Sequence, residues 1–325
     1  MNKLLGILAL ALCTLPLAAH AQAPAPAFPT KPVTIVVPYS PGGGSDNASR
    51  ATSRFLSELW HQPVIVENLT GADGLIGARK VIKSAPDGHT LLVSIPAIAI
   101  LKYTNKSLEK DPLTELVPVT MMATGPTAIV VKGGTDIKTI DDLKRKCATR
   151  AANCSWASGE PFTLLAGSGL MGGLGIADMM TNVRYAGTSA AVNDILGGHV
   201  TALVTGTSSV LQHHKAGSLK ILAVSTDKRI AELPDVPTYA QVGLGAVEFT
   251  NNWYGIFAPA GTPRPILEKL NVAINRTLAK PEVVETLNAQ GFFIFGGPLD
   301  GAMPRLKREI EVWGKAVRDS GAVAQ

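Results

Sequence analysis

Short apolar runs rich in Val and Ile alternate along this chain with longer stretches in which apolar residues return every third or fourth position. Residues 33–37, Val-Thr-Ile-Val-Val, form the first such run and read as a strand. The run opens onto Pro41-Gly-Gly-Gly44, and from Ser45 or Asp46 the spacing of Ala48, Phe55 and Leu59 predicts a helix with one apolar face. A second strand is predicted at 64–66, a helix over 74–83 and a third strand at 90–94. Later strands are predicted at 128–131, 155–157, 202–205, 221–225 and 254–258. Thr139-Ile-Asp-Asp142 is close to a capping box, and Thr262-Pro263 sets a capping hydroxyl before a proline at the first helical position. The longest late helical patterns cover 263–279 and 303–320. Strands alternating with helices predict an α/β fold, with a mostly parallel sheet covered on both faces.

The N-terminus follows another pattern. Lys3 precedes an uncharged apolar run over 4–19, and Ala19-His20-Ala21 has the small-x-small form of a cleavage site. Residues 1–21 therefore read as a secretory signal peptide, with Ala23 as an alternative cleavage point. The run is too short for a membrane anchor, and Leu12 stands where a lipoprotein would need a small residue before Cys13. Loss of Lys3 with this segment lowers the formal charge from +5 to +4, mild for 325 residues. The basic residues are scattered with few aromatics among them, so no nucleic-acid footprint appears. The plain reading of the charge is a soluble exported protein, and the signal peptide places it in the periplasm; the remaining chain is long enough for two lobes with separate cores.

Cys147 and Cys154 remain after the signal, seven positions apart, in a compartment that permits disulfides. A structural disulfide is the favoured reading. Two free thiols come next, and a metal or redox pair is disfavoured because the spacing is not CxxC and no histidine lies nearby.

Ligands of such sheets sit beyond the carboxyl ends of the strands, where loops lead into helices. The loop Pro38-Tyr-Ser-Pro-Gly-Gly-Gly-Ser-Asp46 is such a place. Its glycines admit a close ligand, and the free N–H groups and dipole of the next helix favour an anion. A plain glycine turn capped by Ser45 or Asp46 remains the alternative, and no Gly-Lys-Ser/Thr follows to make a phosphate loop. Gly71-Ala-Asp-Gly74 follows the second strand and could face the same pocket. Gly167-Ser-Gly169-Leu-Met-Gly172 matches GxGxxG in letters, but it follows a helical segment and reads as helix packing.

Catalytic constellations are missing from the sequence: there is no GxSxG or HExxH, and no nucleophile, base and orienter assemble. His213 and His214 are adjacent and point apart on a helix, while His61, His89 and His199 read as surface residues beside turns. Asp111, Asp141 and Asp142 read as caps. These features point to binding rather than catalysis.

Six segments in order then resemble the Bug (TctC-like) extracytoplasmic receptors of tripartite tricarboxylate transporters. They are Val36-Val-Pro-Tyr-Ser-Pro-Gly-Gly-Gly-Ser-Asp46, Val66-Glu-Asn68 with Gly71-Ala-Asp-Gly74, Ala85-Pro-Asp-Gly-His-Thr-Leu-Leu92, Asp194-Ile-Leu-Gly-Gly-His-Val200, Leu233-Pro-Asp-Val-Pro-Thr238, and Trp253-Tyr-Gly-Ile-Phe-Ala-Pro-Ala-Gly-Thr-Pro263. The resemblance implies a two-lobed periplasmic-binding-protein fold of the Venus-flytrap type II class, with hinge crossings near 125–127 and 250–253. Lobe one would comprise 28–126 plus 251–325, and lobe two 127–250. It further implies a monomeric receptor that carries no prosthetic group, captures a small carboxylate between its lobes and delivers it to a membrane permease. By matching position the ligand would meet Tyr39, Gly42, Gly43, Gly44, Ser45 and Asp46, beside Gly71, Ala72, Asp73 and Gly74. Lobe two would add Ser158, Gly159, Glu160, Thr163, Tyr185, Gly187, Thr188 and Thr205, with Trp253 as an apolar wall.

Departures from the family pattern fall mostly in lobe two. Ser158-Gly-Glu-Pro-Phe-Thr-Leu-Leu165 is shorter than its counterparts, with Leu164 for a histidine and Glu160 adding a negative charge. Arg184-Tyr-Ala-Gly187 loses a lysine and gains an arginine. A second ligand carboxylate against Glu160 would need a cation, which Arg184 supplies only if it turns inward. A monocarboxylate or an aromatic acid is therefore favoured over citrate.

Overall fold

A computed structural model describes residues 28–105, 108–244 and 251–319, so the expected signal peptide at 1–21 lies outside the described residues. In chain order the elements are β1 (Val33–Val37), α1 (Gly44–Trp60), β2 (Val64–Asn68), α2 (Leu75–Ile82), β3 (Thr90–Ser94), α3 (Ala97–Thr104), β4 (Leu116–Lys132), α4 (Ile140–Lys146), β5 (Cys154–Ser158), α5 (Pro161–Gly173), β6 (Met180–Arg184), α6 (Thr188–Gly197), β7 (Ala202–Gly206), α7 (Leu211–Lys215), β8 (Leu219–Val224), β9 (Asn251–Pro259), α8 (Arg264–Leu278), α9 (Pro281–Ala289), β10 (Phe293–Ile294) and α10 (Leu299–Asp319).

The first sheet is built on β1, which runs parallel to β2 on one side (Val33 opposite Val64) and to β3 on the other (Thr34 opposite Thr90). β9 returns antiparallel between β3 and β4, and β10 adds a short antiparallel edge to β4. The second sheet has β5 parallel between β6 and β7, with β7 and β8 antiparallel to β4. β4 belongs to both sheets. Its residues through Pro126 pair with β9, and from Thr127 onward they pair with β7 and β8.

Only 128–131 of β4 reads as a strand in the sequence, because Pro118 and Pro126 look like breakers. Pro118 lies at a register shift, and Pro126 at the exchange of partners, so neither interrupts a regular ladder. Nearly all of β4 is buried on both faces, which also removes the alternation that marks a half-exposed strand.

Strand alternation divides the cores. In β1, Val33, Ile35 and Val37 face α1 and α8, while Val36 faces the opposite layer with Leu75, Val81 and Phe257. In β4, Ile129 and Val131 join Trp156 and Leu170 on one side of the second sheet, and Ala128 and Val130 join Ile195 and Leu233 on the other. Helices therefore cover both faces of each sheet.

Several local expectations change. The Thr262 hydroxyl turns back and donates to the Pro259 carbonyl at 2.8 Å, so it does not cap α8, which starts at Arg264. His89 is buried rather than exposed: its Nε2 accepts from the Thr30 N–H at 3.2 Å, and Phe28 packs on its ring. Gly167 lies inside α5 directly against Trp156, the close packing that the GxGxxG letters disguise. Thr139 does cap α4, accepting from the Asp142 N–H at 3.1 Å.

Cys147, at the end of α4, is disulfide-bonded to Cys154 at the start of β5, with the Cα atoms 5.7 Å apart. Both are buried in the same core as Trp156. By chain entropy a loop this short contributes roughly 2–3 kcal/mol. Replacing both cysteines by serine is expected to lower the melting temperature by several degrees without changing solute affinity. Calorimetric unfolding checks the first, and an unchanged melting point would refute the stabilising role.

Candidate ligand-binding cleft

The loop after β1 is held from beneath. Asp46 is 3 % exposed, in the first turn of α1, and points its carboxylate back under the loop. There it accepts from the Gly42 N–H at 3.0 Å, from Arg50 Nε at 2.9 Å and from Asn68 Nδ2 at 3.0 Å. Asn68, at the end of β2, also donates to the Tyr39 carbonyl at 3.0 Å. Burial alone would raise the Asp46 carboxyl, but these donors outweigh it and hold it below the usual carboxylate range. Asp46 is thus a strut that shapes the loop, and its oxygens are occupied by protein donors.

What the loop presents is the open end of α1. The N–H groups of Gly44, Ser45 and Asp46 donate to no described protein atom, and Gly43 provides no side-chain cap. They form a ready anion site, with the helix dipole behind them. Gly44 is needed here for space. A Cβ on it would collide with the Tyr254 hydroxyl and stand 2.9 Å from Ser208 Oγ.

The loop from Gly71 to Gly74 lies beside Tyr39. A Cβ at Gly74 would come within 2.9 Å of the Tyr39 hydroxyl, and one at Gly77 within 2.8 Å of Pro38, so this glycine spacing lets α2 pack on the β1 loop. Ala72 and Asp73 both hold left-handed backbone, with φ of 47° and 53°, a strained conformation for residues with a Cβ. Tyr39 is buried. Its phenol is pushed well above its ordinary range by burial first, then by the negative charges of Glu160 and Asp73.

The facing wall comes from β5, α5 and the start of α6. Thr163 Oγ1 accepts from the Gly159 N–H at 3.2 Å and the Glu160 N–H at 3.1 Å, closing the first turn of α5. Gly159 is pressed so tightly onto α6 that a Cβ would lie 2.6 Å from Thr188 N. Asn182 donates to Ser158 Oγ at 3.2 Å. The Thr188 hydroxyl donates to Glu160 Oε1 at 2.7 Å. Burial pushes the Glu160 carboxyl up to about 7, against the smaller opposing effect of that hydrogen bond.

The two walls touch. The Ser189 hydroxyl donates to the Pro41 carbonyl at 2.6 Å, and a Cβ at Gly187 would stand 2.7 Å from Ser40 Oγ. Arg184 turns outward, 59 % exposed in its side chain, and lies 3.9 Å from Asp73 rather than against Glu160.

Sequence reasoning chose Trp253 and passed over its neighbour. Trp253 packs into the core with Phe257 and Met121, whereas Tyr254, one position on, faces the opposite side of β9, toward α1. Strand alternation was the available signal. The Tyr254 oxygen accepts from Asn252 Nδ2 at 2.9 Å, and Ser208 lies on its other side within reach of its proton. Asn252 Oδ1 is buried with no hydrogen-bond partner among the described residues, and so is Thr205 Oγ1 at the end of β7. Tyr185 stands apart, just after β6, and donates to Asp194 Oδ2 of α6 at 2.6 Å.

Over residues 49–321 the sequence matches the model of the tripartite tricarboxylate transporter family receptor. The chain belongs to this receptor family. It is 32 % identical to the protein BugT of Bordetella pertussis, over 99 % of this chain and 98 % of that one. The structure of the periplasmic binding protein BugD superposes with a TM-score of 0.84 at 28 % identity, covering 92 % of this chain and 100 % of that one. Rpa4515 of R. palustris, solved with adipate, superposes with a TM-score of 0.85 at 27 % identity, with the same coverage. The receptor has the two-lobed periplasmic-binding-protein fold, and the loop after β1 meets the start of α6 between its two sheets, with the first residues of β9 beside the start of α1.

Proposed function

We propose that this receptor captures a small carboxylate in the cleft between 28–126 plus 251–325 on one side and 127–250 on the other, and delivers it to the membrane permease of a tripartite tricarboxylate transporter. It acts in the periplasm as a binding protein without catalysis. The observation that carries this reading is the convergence of unused donors at the start of α1. Three free backbone N–H groups open there, with the buried Tyr254 and Ser208 hydroxyls beside them and close to each other. Buried polar groups in a folded protein normally have partners, so such a cluster calls for an acceptor-rich guest. A carboxylate supplies four lone-pair sites and the charge that the helix end favours.

Capture follows from the two crossings. β4 joins both sheets without a break, and the β9 register ends with Asn251 opposite Pro126, where β4 changes partners. Small backbone changes at these points swing one sheet toward the other. The Ser189–Pro41 hydrogen bond and the Gly187–Ser40 approach belong to the closed form. Closure removes water from the α1 end and strengthens each hydrogen bond made there. The closed surface is then what the permease would recognise. The Rpa4515–adipate pair supports a carboxylate as the class of solute. Glu160 within the cleft disfavours citrate here and leaves one carboxylate as the anchor.

A thermal-shift screen of mono-, di- and tricarboxylates beside neutral sugars tests this. A solute present at 100 times its dissociation constant should stabilise the fold by about 2.7 kcal/mol, several degrees in melting temperature. Stabilisation by neutral solutes with none by any carboxylate would refute the proposal.

A further inference from the structure

The carboxylate anchor makes no use of Glu160. That residue stands at the N-cap of α5 in extended backbone, followed by Pro161, and its Oε1 is steadied by the Thr188 hydroxyl. Among the described residues no Lys, Arg or His pairs with it. Arg184, the cation offered by the sequence, lies on the surface beside Asp73.

The groups around it supply no positive charge. Tyr39 on the β1 loop and Tyr254 on β9 are neutral phenols, both pushed up by burial and then by Glu160 itself. Asp46 and Arg50 in α1 neutralise each other. Asp73 before α2 is negative and faces Arg184 at the end of β6, and Tyr185 is held by Asp194 of α6. α5 itself carries no charged residue. A carboxyl in such a place either stays protonated or waits for a cation brought by the guest.

We propose that Glu160 receives a positively charged nitrogen of the solute, so that the ligand is a zwitterion with its carboxylate at the start of α1 and its ammonium or similar group at the start of α5. The inference rests on the cleft being the solute site. The two anchors have opposite polarity, and they come from opposite walls that meet when the lobes close. A zwitterion satisfies both at once, and closure then buries a neutralised pair rather than a lone charge. A dicarboxylate would instead require Glu160 to remain protonated and donate a hydrogen bond.

These two guests give opposite pH dependence. A cationic group binds the ionised carboxylate, so affinity rises with pH up to the free-state value of about 7 and then levels. A second carboxylate binds the protonated form, so its affinity falls over the same range.

The experiment is calorimetric titration between about pH 6 and pH 8.5 with length-matched butyrate, 4-aminobutyrate and glutarate, and their shorter and longer homologues. Expected is a preference for the amino acid of one chain length, strengthening by up to about tenfold per pH unit below 7. In Glu160→Gln, which keeps the acceptor for Thr188, affinity for that amino acid should drop about 10- to 100-fold and lose its pH dependence. Three results overturn the inference: a preferred dicarboxylate whose binding weakens as pH rises, no stabilising zwitterion at any length, or undiminished amino-acid binding in Glu160→Gln. If binding is lost in Gly44→Ala but kept in Glu160→Gln, the cleft reading stands and the Glu160 inference alone falls. A solute indifferent to both substitutions binds elsewhere, and both readings fall.

Discussion

Asp46→Ala is expected to reduce stability by about 2–3 kcal/mol and to lower solute affinity at least tenfold. The side chain is 3 % exposed and its two oxygens are shared among three donors, so truncation leaves the Gly42 N–H and Asn68 Nδ2 without their acceptor. The estimate is held down because the Arg50 side chain is 52 % exposed and water can take over part of its partner's role. Asn68 keeps its bond to the Tyr39 carbonyl, so β2 itself should survive. The loop from Pro38 to Gly43 would lose the hydrogen bond that fixes Gly42 at φ 79°, and the donors of α1 would no longer converge.

The sign of the pH effect follows from the depressed carboxyl. A group with a folded-state value below its unfolded one contributes stability that is present above the unfolded value and is lost as pH falls through the folded one. Denaturant titrations should therefore show the gap between wild type and Asp46→Ala at neutral pH and its shrinkage in acid. A gap of equal size at both would mean that packing, not ionisation, is what Asp46 supplies.

Gly44→Ala is expected to have the largest effect on binding, a loss of about 100-fold or more, beside a stability loss of about 1–3 kcal/mol. Gly44 begins α1 in ordinary helical backbone, so alanine is no worse for the helix and is intrinsically better by up to about 1 kcal/mol. The cost arises on both sides of α1: the new methyl would collide with the Tyr254 hydroxyl on the same side of the cleft and crowd Ser208 on the other. Tyr254 is 1 % exposed and packed edge-on to Phe292, so its ring cannot simply swing away. Relief would come from moving α1 or Ser208, which are the parts that must approach for capture. Overpacking of this kind typically costs about 1–3 kcal/mol in a rigid core. A double-mutant cycle with Tyr254→Phe separates the collision from other effects, since removal of the hydroxyl should restore part of the closed-state stability lost in the single variant. Wild-type affinity in Gly44→Ala would place the solute away from the α1 end.

Much of this protein was legible along the chain. β1, β3, β5, β7 and β8 lie within a few residues of their expected positions, as do α1, α2 and α8. Their signals were short β-branched runs and apolar spacing, both properties of neighbours in sequence. β4 was only partly legible, because a strand buried on both faces has no alternation and its prolines sit at irregular points. His89 went unread as a buried residue because its partner, the Thr30 N–H, and its packing neighbour, Phe28, come from a segment 59 and more positions earlier.

For the cleft, the sequence by itself determined the glycine loop, the helix that starts behind it and the family to which the chain belongs. These depend on local backbone freedom and on motifs that survive in order, so no distant partner is needed to see them. Tertiary structure alone decided the roles. It turned Asp46 from a ligand candidate into a strut, through Asn68, which is 22 positions away. It placed Tyr254 against the start of α1 and Trp253 in the core, a choice that one step of strand alternation settles only once the sheet's two faces are known. It also sent Arg184 to Asp73 and left Glu160 without a cation. Whether a charge is paired depends on which remote side chains reach it, and burial makes that pairing decisive.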